Sequence, residues 1–413
     1  MSPRTSWLAL PILLGVAGSA RAQPEPTPSP PPAAPEASPP APAPAPASQP
    51  EVKAEAEAEA KPDAKHKPWY ERFTIRGYAQ FRFNRLYASN EDLGNRLGDS
   101  ANVEDNSFSI RRARLVVSGD VTSFLAVYLQ ADFAGAEVKM RDWYGDIFLD
   151  KDKTFRFRLG QQKIPFGWEN MQSSQNRAPL DRSDGINSAV PGERDLGLMA
   201  YWEPKQTRAL FKHLVDSGLK GSGDYGVVGV GIYNGQGINV DDKNENRHVV
   251  ARVTYPFTLG SQILELGAAG YVGKFNVATP TGSAGNFRDM RAEASLVLYP
   301  QPIGFQAEYN IGKGPEHDLA TDTVEVRGLY GGYAMVLAHV GDFFPFVRAG
   351  YYNGGLKHQT LAPHSVVKEL VIGSEWQFRK VIELTAEVDI ASRELDGVEE
   401  RGFLVRLQAQ LNY

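Results

Sequence analysis

The sequence predicts an all-β fold, a 16-stranded antiparallel transmembrane β-barrel. Three observations predict it. Apolar and polar residues alternate with period two from Trp69 to the last residue, the connections are short on one side and long on the other, and arginines recur inside strands whose other face is apolar. A half-buried strand alternates every second residue. Short turns at one end and long loops at the other mark barrels that cross a membrane.

The ends of the chain set the context. Arg4 precedes the apolar run WLALPILLGVAG, and Ala20-Arg21-Ala22 follows it. That order of charged, apolar and small-residue zones predicts a cleaved signal peptide over residues 1–22. Residues 23–68 are rich in proline and alanine and then in charge, so they bury too little surface to fold; they read as a disordered periplasmic linker. A sharper reading makes them a tether that contacts the cell wall. The barrel occupies 69–413. The net charge of −5 gives no reason to expect nucleic acid, and zero cysteines exclude disulfides and thiol chemistry.

In FTIRGYAQFRFN, Phe73, Ile75, Gly77, Ala79, Phe81 and Phe83 share one face while Thr74, Arg76, Tyr78, Gln80, Arg82 and Asn84 share the other. The last strand, RGFLVRLQAQLNY, alternates in the same way. Strands are expected near 72–86, 107–119, 122–134, 140–150, 154–162, 194–203, 225–234, 247–256, 263–274, 287–299, 303–312, 324–337, 344–353, 365–378, 381–392 and 401–412. An even count returns both termini to one side. Long polar loops are expected at LYASNEDLGNRLGDSANVEDN, NGQGINVDDKNEN, NVATPTGSAGN, GKGPEHDLATD and NGGLKHQTLAPHS. One connection breaks the pattern: 204–223 is long yet falls on the short-turn side, so an irregular or briefly helical turn is expected there. Trp143, Phe155, Trp202, Tyr255, Tyr299, Trp376, Phe378 and Tyr413 lie near strand ends, where aromatic girdles meet the bilayer surfaces.

The stretch FSIRRARLVVSGD, 108–120, does not obey simple alternation. A cation at mid-bilayer on the lipid face costs about 2–4 kcal/mol. Arg112 and Arg114 should therefore face the lumen, which leaves Arg111, Phe108 and Ile110 on the wrong sides. A β-bulge at Arg111–Arg112 would correct all three. The alternative is an outward Arg111 that snorkels to the head groups.

This Arg-Arg-x-Arg run with its Gly-Asp turn, followed by Asp132-Phe133, resembles the phosphate-selective porin O and P family. LGQQKIPFGWE at 159–169, Arg194-Asp195 with Gly197, and Ile232-Tyr233-Asn234-Gly235 are similar to further segments of that family. The resemblance implies a homotrimeric porin of the bacterial outer membrane, in contact with lipid and lipopolysaccharide, that passes small anions, phosphate in the type members. It also implies an inward-folded third extracellular loop, here 163–193.

Parity then assigns an anion pathway. Arg76, Arg82, Arg111, Arg112, Arg114, Arg156, Arg158, Arg252 and Arg348 are placed on the lumen, with Lys163, Arg182 and Arg194 on or beside the third loop. Arginine suits phosphate because its planar fork donates two parallel hydrogen bonds. Inward parity also collects Glu265, Glu293, Glu308, Glu325, Glu369, Glu375, Glu383, Glu387 and Asp389, which would weaken selectivity. A general weakly selective porin, or a structural barrel held to the cell wall by its proline-rich arm, are the alternatives. No catalytic set, metal-ligand set or cofactor motif occurs among the histidines or glycine-rich stretches. The expectation is a channel and not an enzyme.

Overall fold

The computed structural model describes residues 69–88 and 107–413. The readings for residues 1–68, and for the loop over 89–106, lie outside the described residues. All sixteen expected strands are present: β1 Phe73–Ala88, β2 Ser107–Asp120, β3 Leu125–Asp132, β4 Lys139–Phe148, β5 Phe155–Lys163, β6 Arg194–Trp202, β7 Val228–Tyr233, β8 His248–Leu259, β9 Gln262–Thr279, β10 Gly282–Leu298, β11 Ile303–Asp318, β12 Thr323–Ala338, β13 Phe343–Gly355, β14 His364–Arg379, β15 Ile382–Leu395 and β16 Val398–Asn412. Each pairs with its sequence neighbours, and β1 pairs antiparallel with β16 to close the barrel. Closure leaves no sheet edge, which a chain in lipid requires.

Alternation sets the two faces. On β8, Val249, Val253, Tyr255 and Phe257 are exposed on the outside, while His248, Val250, Arg252 and Thr254 are buried within. The arginine-rich strand follows the same logic after one irregularity. Gln80 faces Arg112 and Phe81 faces Ile110, so Arg111 is the extra residue of a bulge. Phe108 and Ile110, 86% and 55% exposed, thereby turn outward, and Arg112 and Arg114 are buried. Arg111 lies 3.8 Å from Asp181, on the same side as its neighbours, and does not snorkel.

Several expectations need correction. NVATPTGSAGN and GKGPEHDLATD do not form long loops: β9 and β10 run on to a tight turn at 280–281, and β11 and β12 to one at 319–322. Their polar residues still pair strand to strand beyond the apolar band, and in a sequence such a hairpin resembles a solvated loop. Tyr299 is not part of an outer aromatic girdle. It is fully buried and donates to Glu265 Oε2 at 2.6 Å.

Among the described residues, two connections carry helices. The β5–β6 connection, 164–193, holds the short helices α1 Trp168–Met171 and α2 Asp184–Asn187. Its Ile164, Phe166, Ala189 and Val190 pack on Met199, Tyr201, Tyr233, Val250 and Tyr271 of β6–β9. Its Ala178 and Ile186 pack on Tyr333, Met335, Leu337, Phe346 and Val371 of β12–β14. The approach to β12 is close. A Cβ on Gly185 would stand 2.4 Å from the Gly332 nitrogen, so this wall carries Gly331-Gly332 for a backbone-to-backbone contact. The β6–β7 connection holds α3 Lys205–Asp216, the helical turn expected from its length. Thr207, Phe211 and Leu214 form its buried stripe. Ser217 and Gly218 close its last turn onto His213 and Val215, with Gly218 at φ +74°.

Candidate permeation path

The lumen-facing arginines are first of all anchors for 164–193. Asp181 lies 3.1 Å from Arg82 and 3.8 Å from Arg111, and it also pairs with Arg406. Burial alone would raise its carboxyl pKa; the surrounding Arg82, Arg406 and Arg111 hold it well below the ordinary carboxylate range. Glu193 is treated in the same way, raised by burial and held well below its usual value by Arg182, Arg194 and Arg141. Arg182 reaches Glu193 at 2.6 Å and the carbonyls of Glu169 and Gln172 at 3.1 Å each. Arg348 reaches Glu169 at 3.0 Å and Glu369 at 3.3 Å. Acids from the wall also hold the segment. The backbone N–H groups of Trp168 and Glu169 donate to Glu308 at 2.6 and 2.7 Å, and that of Leu180 donates to Glu387 at 3.0 Å.

The motifs meet as well. Arg114 Nε donates to Asp132 at 2.9 Å, and Asp132 also accepts from the Ala113 backbone, so the arginine run and the Asp-Phe pair clasp each other. Asp195 accepts from the Gly235 and Gly237 backbones at 2.8 and 2.9 Å, which fixes the turn after Asn234.

Beside this packed body lies a cavity of about 1280 Å³, walled by β1–β5, by the β6–β7 connection and by the turn-side ends of β14–β16. Among the described residues, thirteen lysine and arginine side chains line it against six aspartates and glutamates. Six of the twelve cations expected on the pathway are there: Arg76, Arg114, Arg156, Arg158, Lys163 and Arg194. The other six, Arg82, Arg111, Arg112, Arg182, Arg252 and Arg348, are outside its lining. Arg112 donates to Gln80 at 2.9 Å, and Arg252 donates to the Gly226 carbonyl at 3.2 Å beside Glu265. Of the nine acids that share inward parity, Glu383 alone is in the lining.

Several lining cations have acid partners. Arg156 is 2.6 Å from Asp224, Arg158 is 2.7 Å from Asp146, and Arg194 is 3.0 Å from Asp142. Others have neutral ones. Lys163 Nζ donates to the carbonyls of Met171 and Gln172 at 2.8 and 2.9 Å, and Arg76 donates to the Tyr128 hydroxyl at 3.5 Å. Tyr128 and Tyr144 stack with ring centres 5.0 Å apart, and Arg158 lies 3.9 Å over Tyr144. Strand parity could not reveal Lys151, Lys153, Lys205, Arg208, Lys212, Lys220 and Lys380, because these sit in turns or on α3. For Lys205, Arg208, Lys212 and Lys220 the signal that could have found them was the anomalous length of 204–223.

The family model described as phosphate-selective porin O and P matches residues 87–279. No curated protein matches the sequence. Among solved structures, the outer membrane channel DcaP of Acinetobacter baumannii is similar at 12% identity and a TM-score of 0.52, over 83% of this chain and 97% of that one. Pseudomonas putida OprB aligns at 9% identity and a TM-score of 0.51, over 83% and 94%. The anion-selective porin from Comamonas acidovorans aligns at 13% identity and a TM-score of 0.50, over 83% and 99%. These likenesses concern the fold, a porin barrel. The match over 87–279 covers the strands on which the arginine run, the Lys163 segment and the Asp195 clasp were found. The chain is a channel-forming β-barrel of the bacterial outer membrane, and its residues 87–279 match the family model of phosphate-selective porin O and P.

Proposed function

We propose that this porin passes small hydrophilic solutes with a preference for anions, phosphate among them. The observation that carries the reading is the lining of the cavity, where thirteen cations face six acids. Rings of arginine and lysine are how pores favour anions. Three of the acids that crowd the C-terminal strands, Glu369, Glu387 and Glu308, are spent on Arg348, Arg406 and the backbone of 164–193, away from that lining. In this reading 164–193 lies in the lumen as the constriction, and the solute passes beside it along β1–β5. The acid partners of Arg156, Arg158 and Arg194 keep binding weak, which permits exit. They also favour, as the second reading, a general porin with little selectivity. A reversal potential in a potassium chloride gradient separates the two: a chloride-directed value supports the proposal, a value near zero supports the general porin, and a potassium-directed value overturns the anion reading.

We also propose a homotrimer. β3 has 8 residues and β7 has 6, whereas β8–β16 have 12–18. A strand needs about 9–11 residues to cross the hydrocarbon core. A low wall over β3–β7 suits contact with neighbouring copies, while the taller wall suits lipid and lipopolysaccharide. The molar mass of the protein in detergent, three chains against one, tests this.

A further inference from the structure

We propose that the β6–β7 connection, 203–227, is a second constriction, seated across the periplasmic mouth of the pore. The short turns of such barrels face the periplasm, so this connection lies at the exit, opposite the long loops. It spans from one wall to the other. At its start, Arg208 donates to the Lys153 carbonyl at 2.7 Å, in the β4–β5 turn. In its middle, Phe211, Leu214 and Leu219 are buried with Ile263, Val297 and Tyr299, at the turn-side ends of β9 and β10, and with Trp168. At its far end Lys220 reaches Glu375 of β14 at 2.5 Å, with both side chains at least 97% buried, and its Nζ stands 4.6 Å over the Phe344 ring of β13.

A turn that only linked two adjacent strands would have no use for a buried ion pair with the opposite side of the barrel. The glycines make the course possible. Gly218 and Gly223 adopt φ +74° and +103°, and Gly221 packs on Leu214 where a Cβ would stand 2.9 Å from that side chain. The two connections are joined as well, because Gln172 Nε2 donates to the Lys220 carbonyl at 2.6 Å. The solvated side of α3 faces the cavity. Lys205 and Lys212, 72% and 73% exposed, stand on it, and their partners Asp152 and Asp216 are themselves exposed, so these pairs hold only loosely.

The inference rests on the channel reading, and its test does not depend on ion selectivity. The chain has no native cysteine, so Lys212→Cys places one thiol on the solvated side of α3. A bulky methanethiosulfonate reagent applied from the periplasmic side to single channels in a planar bilayer should cause a stepwise partial loss of conductance. A second variant, with 205–222 replaced by a short Gly-Ser turn, should show a conductance above that of the wild type. Labelling shown complete by mass, with conductance unchanged, would overturn the proposal. If the turn variant does not fold, the labelling result still decides. A potassium-directed wild-type reversal potential would remove the anion preference and leave the constriction standing.

Discussion

The two walls of this barrel use the same residue types for opposite purposes. Along β6–β16 the inward face is packed, apart from Arg194 and the turn-side ends of β14–β16. Apolar side chains such as Tyr333, Met335 and Phe346 meet 164–193, and charged ones such as Arg348, Arg406, Glu308 and Glu387 are consumed in pairs with it or with each other. Along β1–β5 the inward face looks onto a cavity of about 1280 Å³ in which cations outnumber acids. An arginine inside a barrel is therefore not by itself a pore residue. Within β2 the division falls between neighbours: Arg111 is paired with Asp181, while Arg114, three residues on, lines the cavity. Both touch 164–193, since Arg114 donates to Ser174 at 3.1 Å; what separates them is that Arg114 also opens onto the cavity.

The largest expected effect lies at the packed wall. Asp181→Ala removes one carboxylate from three arginines and leaves Arg82 and Arg406, each at most 2% exposed, without it. Breaking a buried pair from one side costs about 3–5 kcal/mol. The heat-modification midpoint in detergent should fall accordingly, and 164–193 should become open to proteolysis. The pH dependence follows from the sign of the shift. The folded carboxyl pKa of Asp181 is below its unfolded value. The stabilisation is therefore present above the unfolded value of about 3.9 and is lost as pH falls through the lower folded one. Proteolysis of the wild type at 164–193 should stay constant from pH 8 down to about 4.

A smaller effect is expected at Tyr299→Phe. The Glu265 carboxylate loses one donor but keeps Thr254 at 2.7 Å and Trp168 at 3.1 Å. A hydrogen bond to a charged group contributes about 1.5–3 kcal/mol, and with these two donors and Arg252 at 3.5 Å left the loss should fall at the low end of that range. The same denaturation assay measures it.

Glu203 offers a test of opposite sign at the cavity's edge. Burial, and then its neighbour Asp224, push its carboxyl up to about 9. A raised carboxyl contributes most below its unfolded value, and that contribution is lost as pH rises toward the folded one. Stability should decline between pH 5 and 9, and Glu203→Gln should flatten that slope. An unchanged slope in the variant would place the titration elsewhere.

Much of this was legible in the sequence, and the reasons are physical. Alternation and turn signals located sixteen strands, and because lipid penalises an outward cation at mid-bilayer, parity pointed to a bulge at Arg111 with snorkelling as the alternative. Parity does not extend past the bilayer or off the strands. The polar hairpins of β9–β12 therefore read as loops, and the cations of α3 were missed. Which acid meets which arginine was also beyond reach. Asp181 and Arg406 are 225 residues apart, and nothing local at either position encodes the other.

The central claim is that the cations facing the cavity set the selectivity, while the arginines outside its lining that pair with 164–193 hold the structure. Arg76 tests it most directly, because it lines the cavity and its hydrogen bond to the Tyr128 hydroxyl, at 3.5 Å, is long. The measurement is the anion-to-cation permeability ratio, from reversal potentials in a potassium chloride gradient, for the wild type and Arg76→Glu. The account predicts a wild type that favours chloride, and a variant with a severalfold lower ratio and an unchanged heat-modification midpoint. A wild type that favours potassium, or a variant with the wild-type ratio, would contradict it.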